Sequence, residues 1–127
     1  FNTFELTAAI IQMDHLKANR IVNYFEANPK NNPLVLTISM LFRYFLNLLT
    51  NQYQKKSTPN QQEMARLLGI NPYFLKDYTE GAKRYNAMKC ANIISWLREY
   101  DLKSKGVGNA NISDGELLKE LIFKIMH

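Results

Sequence analysis

Apolar residues recur at every third or fourth position along most of this sequence, and that spacing is the feature that most constrains its fold. A period near 3.6 residues places side chains on one face of an α-helix, whereas a half-buried strand needs strict alternation, which is absent here. Glycine and proline are scarce, with 5 and 4 residues, so they mark breaks between helices. The pattern predicts an all-α, helical-bundle-like fold of about seven helices in a single domain over residues 1–127.

The first two helices are predicted to form a hairpin. Thr3 is a suitable N-cap for a helix that runs to about Met13, and Asp14 is a suitable N-cap for the next helix. The apolar stripes expected to face inward are Phe4, Ala8 and Ile11 in the first helix, and Ala18, Ile21, Val22 and Phe25 in the second.

The later helix boundaries are predicted from capping residues, proline and glycine. Asn32 as N-cap and Pro33 at the first helical position predict a long helix from Leu34 to about Tyr53. Further helices are predicted to start at the capping box Thr58-Pro59-Asn60-Gln61, with Gly69 ending that helix, then at Asn71-Pro72, after Asn86, and at the capping box Ser113–Glu116.

Residues 34–49 of the long helix are apolar on more than one face. A surface helix needs one apolar stripe, yet four apolar residues lie off the main stripe: Leu36, Met40, Tyr44 and Leu46. Burying both faces requires neighbouring helices on two sides or a second protein, and the sequence leaves both possibilities open. The candidate subunit-interface residues are therefore Leu36, Met40 and Tyr44, together with Leu118 and Ile122 in the last helix.

The chain is expected to be cytoplasmic and not to enter a membrane. Its single cysteine excludes an intramolecular disulfide, as is usual in the reducing cytoplasm, and no signal peptide is recognisable after Phe1. The apolar segment 34–49 is shorter than the roughly 20 residues of a membrane span and contains Arg43 and Asn47. We expect a buried helix in a piece of a longer protein.

Few residues could carry chemistry. His15, His127 and Cys90 are too far apart in sequence to suggest a metal-binding motif. Asp14 and His15 are adjacent, so on a helix they do not face each other, and Cys90 lies on an apolar stripe. Gly106-Val-Gly108 is too short for a phosphate-binding loop and follows a helix instead of a strand. We expect no catalytic residue, cofactor, metal or small-molecule substrate.

Residues 62–78 have the spacing of a helix-turn-helix, which makes a DNA-binding regulator the alternative hypothesis. The second helix would offer Lys76 to phosphates, but Asp77 and Glu80 would repel them, and the net charge of the chain is only +5. Structural helix pairing is the favoured interpretation. The two hypotheses differ in whether the helix after Asn71 is open and basic, or partly acidic and packed against the helix after Ala87.

Residues 64–78, 82–85 and 97–106, followed by a leucine-rich helix, resemble the C-terminal domain of the delta subunit of bacterial DNA polymerase III, a component of the sliding-clamp loader. The opening residues 4–10 and the segment 41–45 also resemble the start of that domain, so the similarity covers essentially the whole chain. The motif residues that carry it are Leu68, Gly69, Pro72, Phe74, Lys76, Tyr78, Asp101 and Gly106.

The resemblance implies an all-helical collar domain through which clamp-loader subunits pair into a ring. It implies a non-catalytic subunit of the polymerase holoenzyme whose sliding-clamp contacts lie in an N-terminal ATPase-like module that this chain lacks. The expected partners are other clamp-loader subunits, with DNA bound weakly or indirectly.

Overall fold

The computed structural model describes residues 1–58, 60–109 and 111–127, and in these ranges it contains seven α-helices and no strand. One turn of 3-10 helix, Pro72–Phe74, precedes the fifth α-helix. The prediction of an all-α fold with about seven helices is confirmed. The helices are α1 (Thr3–Ile11), α2 (His15–Ala27), α3 (Leu34–Gln54), α4 (Gln61–Leu68), α5 (Leu75–Ala82), α6 (Ala87–Ser104) and α7 (Asp114–Met126).

Helix α3 is the centre of the domain. It packs most extensively on α6 and also contacts α1, α4, α5 and α7. Phe45, Leu41 and Leu48 on its inward face are fully buried. By length and composition alone α3 could cross a membrane, but its apolar inward face forms the core of this domain.

Helices α1 and α2 form the predicted hairpin, and α2 packs in turn on α7. Asp14 caps α2 as predicted, because its carboxylate accepts a hydrogen bond from the Lys17 amide at 3.1 Å. The predicted cap of α1 is wrong by one residue, since Asn2 accepts from the Glu5 amide at 2.9 Å. The side-chain carbonyl of Asn2 therefore caps α1 in place of the Thr3 hydroxyl, and Asn is the stronger N-cap of the two.

Two other predicted helix starts also differ. Pro33, not Asn32, is the N-cap of α3, and the Asn32 side chain donates instead to the carbonyl of Asn28 at 3.1 Å. Helix α4 begins at Gln61, and Asn60 caps it by accepting from the Glu63 amide. The predicted cap at Thr58 is therefore wrong, and the predicted first helical position, Pro59, lies outside the described residues.

The remaining boundary signals are confirmed, except that the chain after Asn71 first forms the 3-10 turn Pro72–Phe74 and α5 itself begins at Leu75. Gly69 ends α4 with φ +70°, a left-handed conformation that glycine adopts without steric cost. Asn71, Asn86 and Ser113 each accept a hydrogen bond from a backbone amide two or three residues later. These local contacts determine where the helices begin and end.

Candidate protein interface

The five predicted interface residues divide into core and surface. Tyr44, Leu118 and Ile122 are 7%, 3% and 2% exposed, so their prediction as interface residues is corrected: they lie in the core of the domain. Leu118 and Ile122 are covered because α7 packs on both α2 and α6. Leu36 is 61% exposed and Met40 is half-buried, so these two remain candidates for contact with a partner.

Tyr44 has an internal role that explains why it lies off the main apolar stripe of α3. Its hydroxyl donates to the backbone carbonyl of Asp77 at 2.8 Å, and its ring stacks on Tyr78 with centroids 5.0 Å apart. Burial raises the pKa of Tyr44 above its ordinary value. Tyr44 therefore fixes α5 against α3, and the second apolar face of α3 is partly used inside the domain.

The rest of that second face lines a groove between α1 and α3. The α1–α3 groove has a volume of about 840 Å³. Its apolar lining includes Phe4 of α1, which is 73% exposed, and Leu36, Met40 and Leu46 of α3. Several exposed apolar side chains on one surface are typical of a binding site, whereas single ones are common on any protein.

A second cleft of about 380 Å³ continues the groove towards α5. The two share Phe4, Met40, Arg43 and Asn47, and the second reaches Ile70 and Phe74. Phe74 is 48% exposed at the end of the 3-10 turn. The apolar surface therefore extends from the start of α3 to the junction of α4 and α5.

The sequence pattern places Phe4 on the inward stripe of α1, and the structure corrects this. The residues that α1 buries are Leu6, Ala9, Ile10 and Ile11, whereas Phe4 and Ala8 are exposed. The helical spacing of Phe4, Ala8 and Ile11 is real, but Phe4 lines the α1–α3 groove, all three line the second cleft, and only Ile11 of the three is buried. This apolar stripe therefore marks part of an exposed surface, although its helical spacing alone predicts a buried face.

The motif residues of the resemblance have mainly structural environments. Leu68 and Tyr78 are buried, and Gly106 has a left-handed φ of +91° after α6. Asp101 pairs with Lys105 at 2.8 Å one turn later on the surface. Pro72 begins the 3-10 turn. Most of these residues therefore have local structural roles, and Phe74 and Tyr78 are the motif residues that line the cleft between α1, α3 and α5.

Helix α5 is the helix that a DNA-binding protein would insert into DNA. It does not have the open, basic face that DNA binding requires. Helix α5 packs mainly on α3, not on α6 as structural helix pairing had predicted. Its Lys76 ammonium lies 4.0 Å from the centroid of the Tyr73 ring, and Glu80 pairs with both Lys83 and Arg84. These pairs lower the pKa of Glu80, and they engage both cations, which makes them less available to phosphate. The helix-turn-helix alternative is not favoured.

The residues considered for catalysis have structural environments. The Cys90 thiol is buried, and burial raises its pKa to about 11, which disfavours the nucleophilic thiolate. Asp14 is a helix cap, and the ring of His15 lies beside that of His127 with centroids 4.7 Å apart. Among the described residues no three His, Cys, Asp or Glu side chains cluster as metal ligands would.

Comparison with known proteins identifies the family. The family model described as the DNA polymerase III delta subunit, C-terminal domain, matches residues 1–124. A search of curated proteins found no match. The fold is shared with the solved structure of the Bacillus subtilis DNA clamp loader delta protein (YqeN), with a TM-score of 0.78 and 18% identity over 98% of this chain. The chain spans 35% of the length of that protein. It belongs to the family formed by the C-terminal domains of DNA polymerase III delta subunits.

Proposed function

We propose that this chain is an assembly domain through which a delta subunit joins the other subunits of a clamp loader. The observation that carries the proposal is the α1–α3 groove, where Phe4, Leu36 and Leu46 are exposed together in a member of this family. Apolar surface of this kind loses contact with water when a partner covers it, which drives association.

The proposed role is non-catalytic. The buried thiol of Cys90 and the capping role of Asp14 leave these groups engaged in structure, and family membership supports a subunit that acts by binding. The chain would form the C-terminal part of a longer cytoplasmic protein, with sliding-clamp contacts in its N-terminal module. Its partners would then be proteins, with DNA contacted weakly or indirectly.

The proposal is tested by removing the domain from that longer protein. We expect deletion of residues 1–127 to abolish co-purification with the other clamp-loader subunits of the same organism, while the purified domain alone retains binding to at least one of them. The matched control is a deletion of equal length elsewhere in the protein. A complex that assembles normally without residues 1–127 would contradict the proposal.

A further inference from the structure

The α1–α3 groove combines an apolar surface with one unpaired cation. Its described lining contains no Asp or Glu, and Arg43 is the charged residue within it. Arg43 forms no ion pair with any carboxylate in the described ranges. Asp77 lines the adjoining cleft but is not paired with Arg43. The groove therefore offers an apolar surface and a guanidinium whose acidic partner has to come from another molecule.

The position of Arg43 is defined by its surroundings. Its guanidinium lies beside Gly69, at the C-terminus of α4. The partial negative charge of a helix C-terminus attracts a cation but does not neutralise it. A carboxylate is the natural ligand of such a guanidinium, because it accepts two parallel hydrogen bonds from it.

The groove residues on α3 form a row long enough for about three turns of a bound helix. Leu36, Met40, Arg43 and Asn47 are spaced by four, three and four residues, so they form one row along α3. At 1.5 Å per residue this row is about 16 Å long, the length of about three helical turns.

The α1 side of this surface allows close approach. In the second cleft, which continues the groove along α1, Ala8 is small, and the Thr7 hydroxyl is already satisfied by donating to the Thr3 carbonyl at 3.0 Å. A helix placed between α1 and α3 would therefore pack its side chains without leaving that hydroxyl unpaired.

We propose that the α1–α3 groove binds an amphipathic helix of about three turns from another protein of the clamp loader. The apolar face of this helix packs on Phe4, Leu36 and Met40, and one of its carboxylates pairs with Arg43. This inference rests on the proposed assembly function and specifies the chemistry of the partner at that site. Asn2, Asn31 and Asn32 also line the groove and provide polar groups beside its apolar surface.

Charge disfavours a second copy of this chain as the occupant. A two-fold dimer centred on the groove would bring the two copies of Arg43 towards each other, because such an interface uses the same surface on both copies. Each chain also carries a net charge of +5. A partner with an acidic residue on its apolar face avoids this repulsion.

The test compares two groove variants with two matched controls, each made in the longer protein. The measured quantity is the affinity of each variant for the purified clamp-loader subunits. Leu36→Glu places an acid in the groove, and its control Leu16→Glu changes a residue of similar exposure on α2, 64% against 61%. Arg43→Glu reverses the groove charge, and its control Arg20→Glu reverses an exposed charge on α2. We expect each groove variant to weaken binding at least tenfold and each control to change it less than threefold. Circular dichroism establishes that each variant is folded.

A photo-crosslinking amino acid at position 36 then identifies the occupant. We expect it to capture a peptide from another purified subunit that has helical apolar spacing and an Asp or Glu on the same face. Capture of a second copy of this chain, capture of a peptide without that pattern, or groove variants that bind as the wild type does would each overturn the inference. If domain deletion abolishes assembly while the groove variants bind normally, the proposed function stands and the groove inference falls.

Discussion

The hydroxyl of Tyr44 occupies the space that a side chain at position 81 would need. A Cβ built on Gly81 collides with this hydroxyl and also lies 3.2 Å from the Tyr44 Cζ and 3.3 Å from Leu48 Cδ2. The hydroxyl cannot move away freely, because it donates to the Asp77 carbonyl and its ring is stacked on Tyr78. Gly81 is therefore required by the packing of α5 on α3.

The first prediction is that Gly81→Ala destabilises the domain. Alanine favours a helix more than glycine does, but we expect overpacking to outweigh that gain and to lower the free energy of unfolding by about 1–3 kcal/mol. Urea denaturation followed by circular dichroism measures it. In a Tyr44→Phe background the same substitution should cost less, since the colliding hydroxyl is gone. Equal costs in both backgrounds would show that Tyr44 is not the cause.

Local signals in the sequence predicted helix ends well. Gly69, Asn71 and Ser113 act through contacts within four residues of themselves, so neighbouring sequence contains the necessary information. Caps were misplaced where good capping residues lie close together, as at Asn2 and Thr3. Asn is the stronger capping residue of these two, and a helix start shifts easily by one residue.

The sequence could not predict which apolar face meets which neighbour. Leu118 and Ile122 belong to a helix held between α2 and α6, so side chains that suggest a partner surface are covered inside the domain. The stripe that contains Phe4 is predicted to face the core, but Phe4 itself is exposed, because α1 is buried through Leu6 and Ile10 instead. Helical periodicity identifies a stripe, but its partner is determined by contacts between distant parts of the chain.

The second prediction concerns Thr37, which is fully buried in α3 with a hydroxyl that has no hydrogen-bond partner among the described atoms. An unpaired buried hydroxyl costs free energy, and valine has nearly the same shape without it. We expect Thr37→Val to raise the free energy of unfolding by about 1 kcal/mol, measured by urea denaturation.

Thr50→Val serves as the control, because the Thr50 hydroxyl donates to the Leu46 carbonyl at 2.9 Å in an exposed position. That substitution should give no comparable gain. A lower stability for Thr37→Val than for the wild type would mean that the Thr37 hydroxyl is satisfied in solution.

The third prediction is a loss of stability in alkaline solution. Burial raises the pKa of Cys90 from 9.0 to about 11, and burial, followed by a hydrogen bond to Glu120, raises that of Tyr100 from 10.0 to about 12. The unfolded chain ionises these groups at lower pH than the folded chain, so it binds fewer protons above about pH 9. Their contribution is fully present below pH 9 and is lost progressively as pH rises through 11 and 12.

Urea denaturation at pH 8, 9.5 and 11 measures this loss. Cys90→Ala should show a smaller decrease than the wild type between pH 9 and 11, whatever its stability at pH 8, because the thiol no longer titrates. A free energy of unfolding that stays constant to pH 11 would contradict the assigned burial of these groups.

The last prediction is that the protein binds duplex DNA weakly and without sequence preference. Phosphate contacts from Lys and Arg supply most of the affinity of DNA-binding domains, but Lys83 and Arg84, which directly follow α5, are paired with Glu80. Lys76 is exposed, but it lies over the Tyr73 ring and is followed directly by Asp77. We therefore expect dissociation constants no tighter than about 10⁻⁶ M at roughly 0.15 M salt, measured by fluorescence anisotropy with duplexes of different sequence.

Lys76→Ala and the control Lys55→Ala should have equally small effects, since both would remove one non-specific phosphate contact. Sequence-selective binding in the nanomolar range that is lost on changing Asn71 or Lys76 would instead make α5 a DNA-reading helix.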